Sequence, residues 1–151
     1  MAPTYEEVAT AIGYVVLTSG VLELNMSEIG TFIDRTTKHR HVMGSTQAIC
    51  RVLKRSVEAL TEADPELGAR AEAYRVEAEA CLAERHRIVH APVLTDQRTQ
   101  EPTRLHFRTG ERAAFSVEEA MHIVARADAC HEEGRTLLKE VTSKFRGGLI
   151  T

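Results

Sequence analysis

A chain of 151 residues is the size of one domain and can bury a single core without staples, and its formal net charge of −3 excludes a protein basic all over, so any polyanion must meet a local stripe. Its three cysteines, Cys50, Cys81 and Cys130, stand far apart, fit no metal or redox spacing and read as small buried hydrophobes of a reducing compartment. No apolar run approaches the length needed to cross a bilayer and Met1 to Glu7 has no basic region that would open a signal peptide, so a soluble, cytoplasmic protein is expected.

Thr4 and Glu7 form a capping box that starts a first helix near Tyr5. Val8, Ile12, Val15, Ser19, Leu22, Met26, Ile29 and Ile33 make its stripe to about Asp34, and Tyr14, Leu17, Val21, Leu24 and Phe32 make a second apolar face roughly opposite. A helix apolar on both sides needs cover on both sides, and a subunit interface is favoured over a central bundle position. Arg35 to Gly44 reads as a loop carrying most of the clustered histidines. Ser45 or Thr46 can cap a second helix to about Thr61 with Ile49, Leu53, Ser56 and Leu60 inward. Between Arg35 and Val57 lie Arg35, Lys38, Arg40, Arg51, Lys54 and Arg55, together with His39 and His41, and no acid. Any one of these cations reads best as part of a solvated helix face; the absence of acids across the window makes it a candidate nucleic-acid surface.

Asp64-Pro65-Glu66 supplies an N-cap, a proline at the first helical position and an acid at the positive dipole end, and Pro92 closes this helix just after His90. Leu67, Ala71, Tyr74, Ala78 and Cys81 recur at alternating steps of four and three, and the series runs through position 85 to Ile88. Arg85 therefore falls inside an apolar seam. A guanidinium keeps its charge and is costly to bury unpaired, so the seam needs an acid or an anionic ligand facing it. Glu23, on the edge of the first helix that carries Ile12 and Val16, is the candidate acid, against the plainer reading of a rim carboxylate. His86 and His90, four apart, share the seam's edge at a helix end whose unpaired carbonyls favour a cation.

After Pro92 the period changes. Arg104 to Arg108 alternates, Thr109-Gly110 can turn, Glu111 to Phe115 can return as a partner strand, Val93 to Thr95 can add a third, and Gln97 to Thr103 reads as a polar loop. Ser116 and Glu119 form a second capping box for a last helix to about Phe145, its seam carried by Ala120, Val124, Ala127, Leu138, Val141 and Phe145 with His131 and Gly134 between. Residues 146–151 read as a mobile tail. No internal repeat and no low-complexity tract stands out.

An Arg, then a polar residue, then a His after four intervening positions, at the end of an amphipathic helix, resembles the R-x4-6-H motif of the HEPN superfamily; Arg85, His86 and His90 supply those elements. The layout resembles that family as well: a long first helix, a helical pair whose last member bears the motif, an excursion and a closing helix. The resemblance implies an all-α bundle of four to five helices with a small β-hairpin excursion at 93–115, one domain over 1–151. It also implies metal-independent RNA cleavage without a cofactor, in which the RNA's own 2′-hydroxyl attacks the adjacent phosphate. Arg85 and His90 would be catalytic with His86 orienting them, Glu23 would support Arg85, and Arg87 would join the basic window in holding RNA. Motifs of two subunits commonly meet across a dimer interface in that family, and small HEPN ribonucleases serve bacterial toxin–antitoxin and antiviral defence systems, which makes a protein antitoxin or regulator a further expected partner. On an ideal helix Arg85 and His90 lie about 140° apart around the axis, so the arginine's length or a loosened last turn must close the gap.

A second reading is a non-catalytic HEPN-like module that binds nucleic acid or a protein partner. A third takes His86 and His90 as an i, i+4 metal pair; it is the weakest, because the H-E-x-x-H spacing is absent and no Glu-x-x-His pair in the helix offers a di-metal site. No Ser-His-Asp nucleophile or phosphate-cradling glycine loop is visible.

Overall fold

Two helices, α1 (Tyr5–Ile33) and α5 (Val117–Lys144), frame a computed structural model that describes residues 1–106 and 108–151. Between them run α2 (His39–Val42), α3 (Thr46–Ala63), α4 (Pro65–Val89) and the strands β1 (Val93–Thr95), β2 (Pro102–Leu105) and β3 (Arg112–Ala114). The architecture is an all-helical bundle with a small antiparallel sheet of order β1-β2-β3.

The local signals act as their chemistry requires. Thr4 accepts from the Glu7 N–H while Glu7 accepts from the Thr4 N–H, closing a reciprocal cap on α1. Ser45 caps α3 through Ala48 N–H, and Asp64 caps α4 through Leu67 N–H with Pro65 at the first turn. On α5 the box is only half made. Ser116 accepts from Glu119 N–H, but the Glu119 carboxylate is taken by Arg87 of α4.

α1 packs most extensively against α5, and also against α3 and α4. Leu22, Met26, Ile29 and Ile33 join Ile49, Leu53 and Leu60 of α3, Ala71, Tyr74 and Cys81 of α4 and Leu137 and Val141 of α5 in the main core. A smaller core gathers Val8, Ala11 and Val15 with Ile88, Phe115, Ala120 and Ile123. The α5 seam passes through Cys130, Gly134 and Leu137 rather than His131 and Leu138, which are only half-buried. Gly134 fixes that choice: a Cβ there would lie 1.8 Å from Asn25 Oδ1 and 2.7 Å from the Tyr74 ring, so α5 approaches the buried Asn25–Tyr74 hydrogen bond (2.7 Å) where no side chain fits.

α4 and α5 run antiparallel and are cross-tied at intervals. Arg70 reaches Glu140 (2.9 Å) and Glu133 (3.4 Å), Arg126 forks onto Glu77 (3.0 and 3.1 Å), and Arg87 meets Glu119. A groove of about 410 Å³ lies between the first two ties, floored by Ala73, Tyr74, Ala129 and Cys130.

Several expectations need correction. α1, 29 residues long with a mean hydropathy of 1.4 over its most apolar window, is long and apolar enough to cross a bilayer; small and hydroxyl residues interrupt its apolar run, but no charge falls between Glu7 and Glu23. The supposed loop Arg35 to Gly44 holds the single turn α2. β2 begins at Pro102, inside the expected polar loop, because a strand's first residue tolerates proline, and it ends at Leu105, with Arg108 in the turn; Phe107 lies outside the described residues. The tail is tied down rather than free: Leu149 and Ile150 N–H groups donate to Ile33 O (2.8 and 3.0 Å), and Ile150 O accepts from Arg35 N–H (2.7 Å). Gly148 makes that return with φ +77°, where an added Cβ would lie 2.9 Å from the Ile33 and Phe32 carbonyl oxygens.

Candidate functional site

The last turn of α4 carries the candidate motif, between the two cores. One turn before it Cys81 and Leu82 face the main core, and one residue short of its end Ile88 enters the smaller one. Arg85 falls at the junction with its side chain 23% exposed, opposite Glu23 of α1 at 14%. Its Nη1 donates to Glu23 Oε1 and its Nη2 to Thr46 Oγ1 (3.4 Å), while the Thr46 hydroxyl donates to the same Glu23 oxygen (3.2 Å). Arginine, glutamate and threonine thus form a closed ring contributed by three helices. The acid expected to face Arg85 is Glu23. Among the described residues Arg85 Nε has no protein partner, so its N–H is left for a ligand.

His86 and His90 stand on the exposed side of the same turn with ring centroids 4.3 Å apart and planes inclined by 44°. The turn is not loosened: His90 ends the helix with near-helical dihedrals, and its N–H still reaches His86 O at 3.1 Å. Among the described residues no hydrogen bond joins Arg85 to either histidine, so one copy of the chain keeps its guanidinium and its imidazoles on adjacent sides of the helix. Nor does a third His, Cys, Asp or Glu join the histidine pair in a metal-ligand group among the described residues.

The thiols are poor nucleophile candidates. Burial, then the Glu79 carboxylate, pushes Cys50 up; burial and then Glu77 do the same to Cys81; burial, with Cys81 next, pushes Cys130 up to about 12.

The basic window divides. Arg55 is committed to Asp34, whose side chain is fully buried, and also donates to Thr37 Oγ1 (3.1 Å). The acid that partners the window is the residue just ahead of it. Arg35 lies over the Phe32 ring, 4.4 Å from its centroid, and its Nη2 reaches Arg146 O (3.5 Å). Lys54 borders a cleft shared with Glu58, Glu62, Glu72 and Arg75. Arg87, grouped with the window in sequence, is held by Glu84 (2.8 Å) and Glu119 and ties α4 to α5. Lys38, Arg40 and Arg51 are exposed and, among the described residues, pair with no carboxylate. Ser27 Oγ meets His39 Nδ1 at 2.8 Å, which seats α2, with Lys38 and Arg40, on α1 one turn beyond Glu23. Among the described residues, then, Arg55 and Arg87 lie in ion pairs, Arg35 in a ring-and-carbonyl contact and Lys54 beside an acid-lined cleft, while Lys38, Arg40 and Arg51 pair with no carboxylate.

Beside the ring, α1 leaves an uncharged face open. Leu17 is 68% exposed, Tyr14 51% and Val21 46%, with Val16 and Leu24 also exposed, while the stripe opposite is buried. Glu23 sits on the border between the two faces.

Two contributors escaped the sequence reading: Thr46, recognised only as a capping candidate, and Asp34, taken as the helix end. Asp34 had a signal, since an Asp at a helix end commonly accepts from the backbone N–H two residues on, here that of Thr36, and the Thr36 and Thr37 hydroxyls add to it. Thr46 had none, because its partners are 23 and 39 positions away. The chain matches no protein-family model, no curated protein and no solved structure.

Proposed function

We propose that the protein is a metal-independent endoribonuclease of the HEPN type, acting as a homodimer in the cytoplasm. The observation that carries this reading is the guanidinium of Arg85, fixed by Glu23 and Thr46 with its Nε–H unpartnered, at the helix end that carries the His86–His90 ring pair. An oriented guanidinium can hold two phosphate oxygens and stabilise the charge that builds on them during in-line attack. Imidazole is the side chain suited to moving a proton near neutral pH, here from the 2′-hydroxyl or to the leaving 5′-oxygen. Because Arg85 and the histidines do not meet within one copy, a second copy docked on the open face of α1 would supply the missing half from its own motif. Lys38, Arg40 and Arg51 would then guide the RNA backbone. A protein antitoxin or other regulator that covers the motif would keep such an activity in check, in a toxin or antiviral-defence role.

The test is cleavage of single-stranded RNA by purified protein in excess chelator, with products ending in a 2′,3′-cyclic phosphate. His90→Ala should lower turnover by about 10²-fold or more at unchanged melting temperature. No cleavage of RNAs of varied sequence by the parent protein sinks the catalytic reading and favours the second one: a binding module that uses Lys38, Arg40 and Arg51. That alternative is favoured by the exposure of those three cations apart from any carboxylate.

A further inference from the structure

Thr46 opens α3 directly after the α2 segment, and its hydroxyl makes two contacts at once. It donates to Glu23 Oε1 at 3.2 Å and receives from Arg85 Nη2 at 3.4 Å, so one oxygen spends its proton on the acid and a lone pair on the base. Without it, Glu23 would hold Arg85 through Nη1 alone. A single ion-pair contact leaves the guanidinium plane free to swing about that contact, and the Nε–H would sample many directions. With it, two terminal nitrogens are pinned to two different helices, and together with the covalent bond to Cδ these three points set the guanidinium plane.

We infer that Thr46 is a positioning residue: it fixes the plane of Arg85 so that the Nε–H faces the phosphate of a bound RNA. The inference rests on the ribonuclease reading above and assigns to that site a residue no motif supplies. Ser45 already caps α3 through the Ala48 N–H, so the Thr46 side chain is not needed to start the helix. Thr46 also joins the motif to the basic α2 segment, since the same short connection from Met43 to Ser45 links Thr46 to Arg40 and Lys38.

Thr46→Val keeps the branched shape and removes the hydroxyl. It should lower kcat about tenfold, with KM and melting temperature close to the parent values, the size expected for one charge-assisted hydrogen bond. Thr46→Ser should restore kcat. In a Glu23→Gln background the same substitution should cost much less than it does alone, because the ring it stabilises is already broken. The Arg85 Nε–H signal in nitrogen-15 NMR should show greater ps–ns mobility in Thr46→Val than in the parent. Parent protein that cleaves RNA while Thr46→Val matches it in kcat and in Arg85 mobility overturns the positioning role alone. A kcat loss that Thr46→Ser fails to rescue, or that tracks a lowered melting temperature, also overturns it, by showing a packing effect. A parent that cleaves no RNA overturns the ribonuclease reading and this inference with it.

Discussion

Asp34 shows how a residue outside any motif can hold a site's surroundings together. Burial alone would push its carboxyl up, but donors from Thr36, Arg55 and Thr37 outweigh burial and hold it below the ordinary aspartate range. A group whose folded value is depressed stabilises the fold fully above its unfolded value, about 3.9, and loses that contribution as pH falls through the folded value. Asp34→Asn should therefore cost about 2 kcal/mol at pH 7, and the gap to the parent should close below about pH 4. Urea unfolding at several pH values reads this directly; a gap that stays constant or widens in acid would show that Asp34 acts through packing rather than charge. At this scale the sequence was informative where one residue broke a pattern. Arg85 in an apolar seam demanded an acid, and Glu23 on a helix edge answered it. The same logic failed for the basic window, because the acid that neutralises Arg55 stands one position before the window begins, and because Arg87 finds its partners in the turn before it and on another helix.

Elements were the most legible level, for a physical reason: caps act through contacts three residues apart, and apolar periodicity registers burial without regard to which neighbour provides it. Thr4, Ser45, Asp64 and Ser116 all cap where expected. The β excursion was readable in kind but not in its boundaries, since three short strands with few contacts to the helices are placed by mutual pairing rather than by a pattern of burial. α1 carries the sharpest test at this level. If its open face seats a second copy, Leu17→Glu and Leu24→Glu should each yield a folded monomer with helical circular dichroism unchanged and stability within about 0.5 kcal/mol, as for exposed positions. A parent that sediments as a monomer, or variants that unfold, would remove the interface.

For the whole molecule, the long-range arrangement was the least legible, since nothing local announces which helices run side by side. The division into two cores with a polar junction between them arises only when α1, α3, α4 and α5 are in place. The cross-tied groove between α4 and α5 makes the same point. Arg70-Ala71-Glu72-Ala73-Tyr74 to Glu77 and Arg126-Ala127-Asp128-Ala129-Cys130 to Glu133 follow one pattern, an arginine and a glutamate seven apart with alanines one and three positions after the arginine. Eight residues are too few to stand out as a repeat along the chain. Laid antiparallel, the Arg70–Glu133 and Arg126–Glu77 ties cross the groove in opposite senses, as a local twofold axis would place them. Ala73→Leu and Ala129→Leu would project matching side chains into one shared space and should shift the melting temperature in the same direction, by free energies agreeing within about 0.5 kcal/mol. The double variant should give less than the sum, because the second leucine finds the groove already occupied. Shifts of opposite sign would mean that the axis relates the charges at the rim but not the space they enclose.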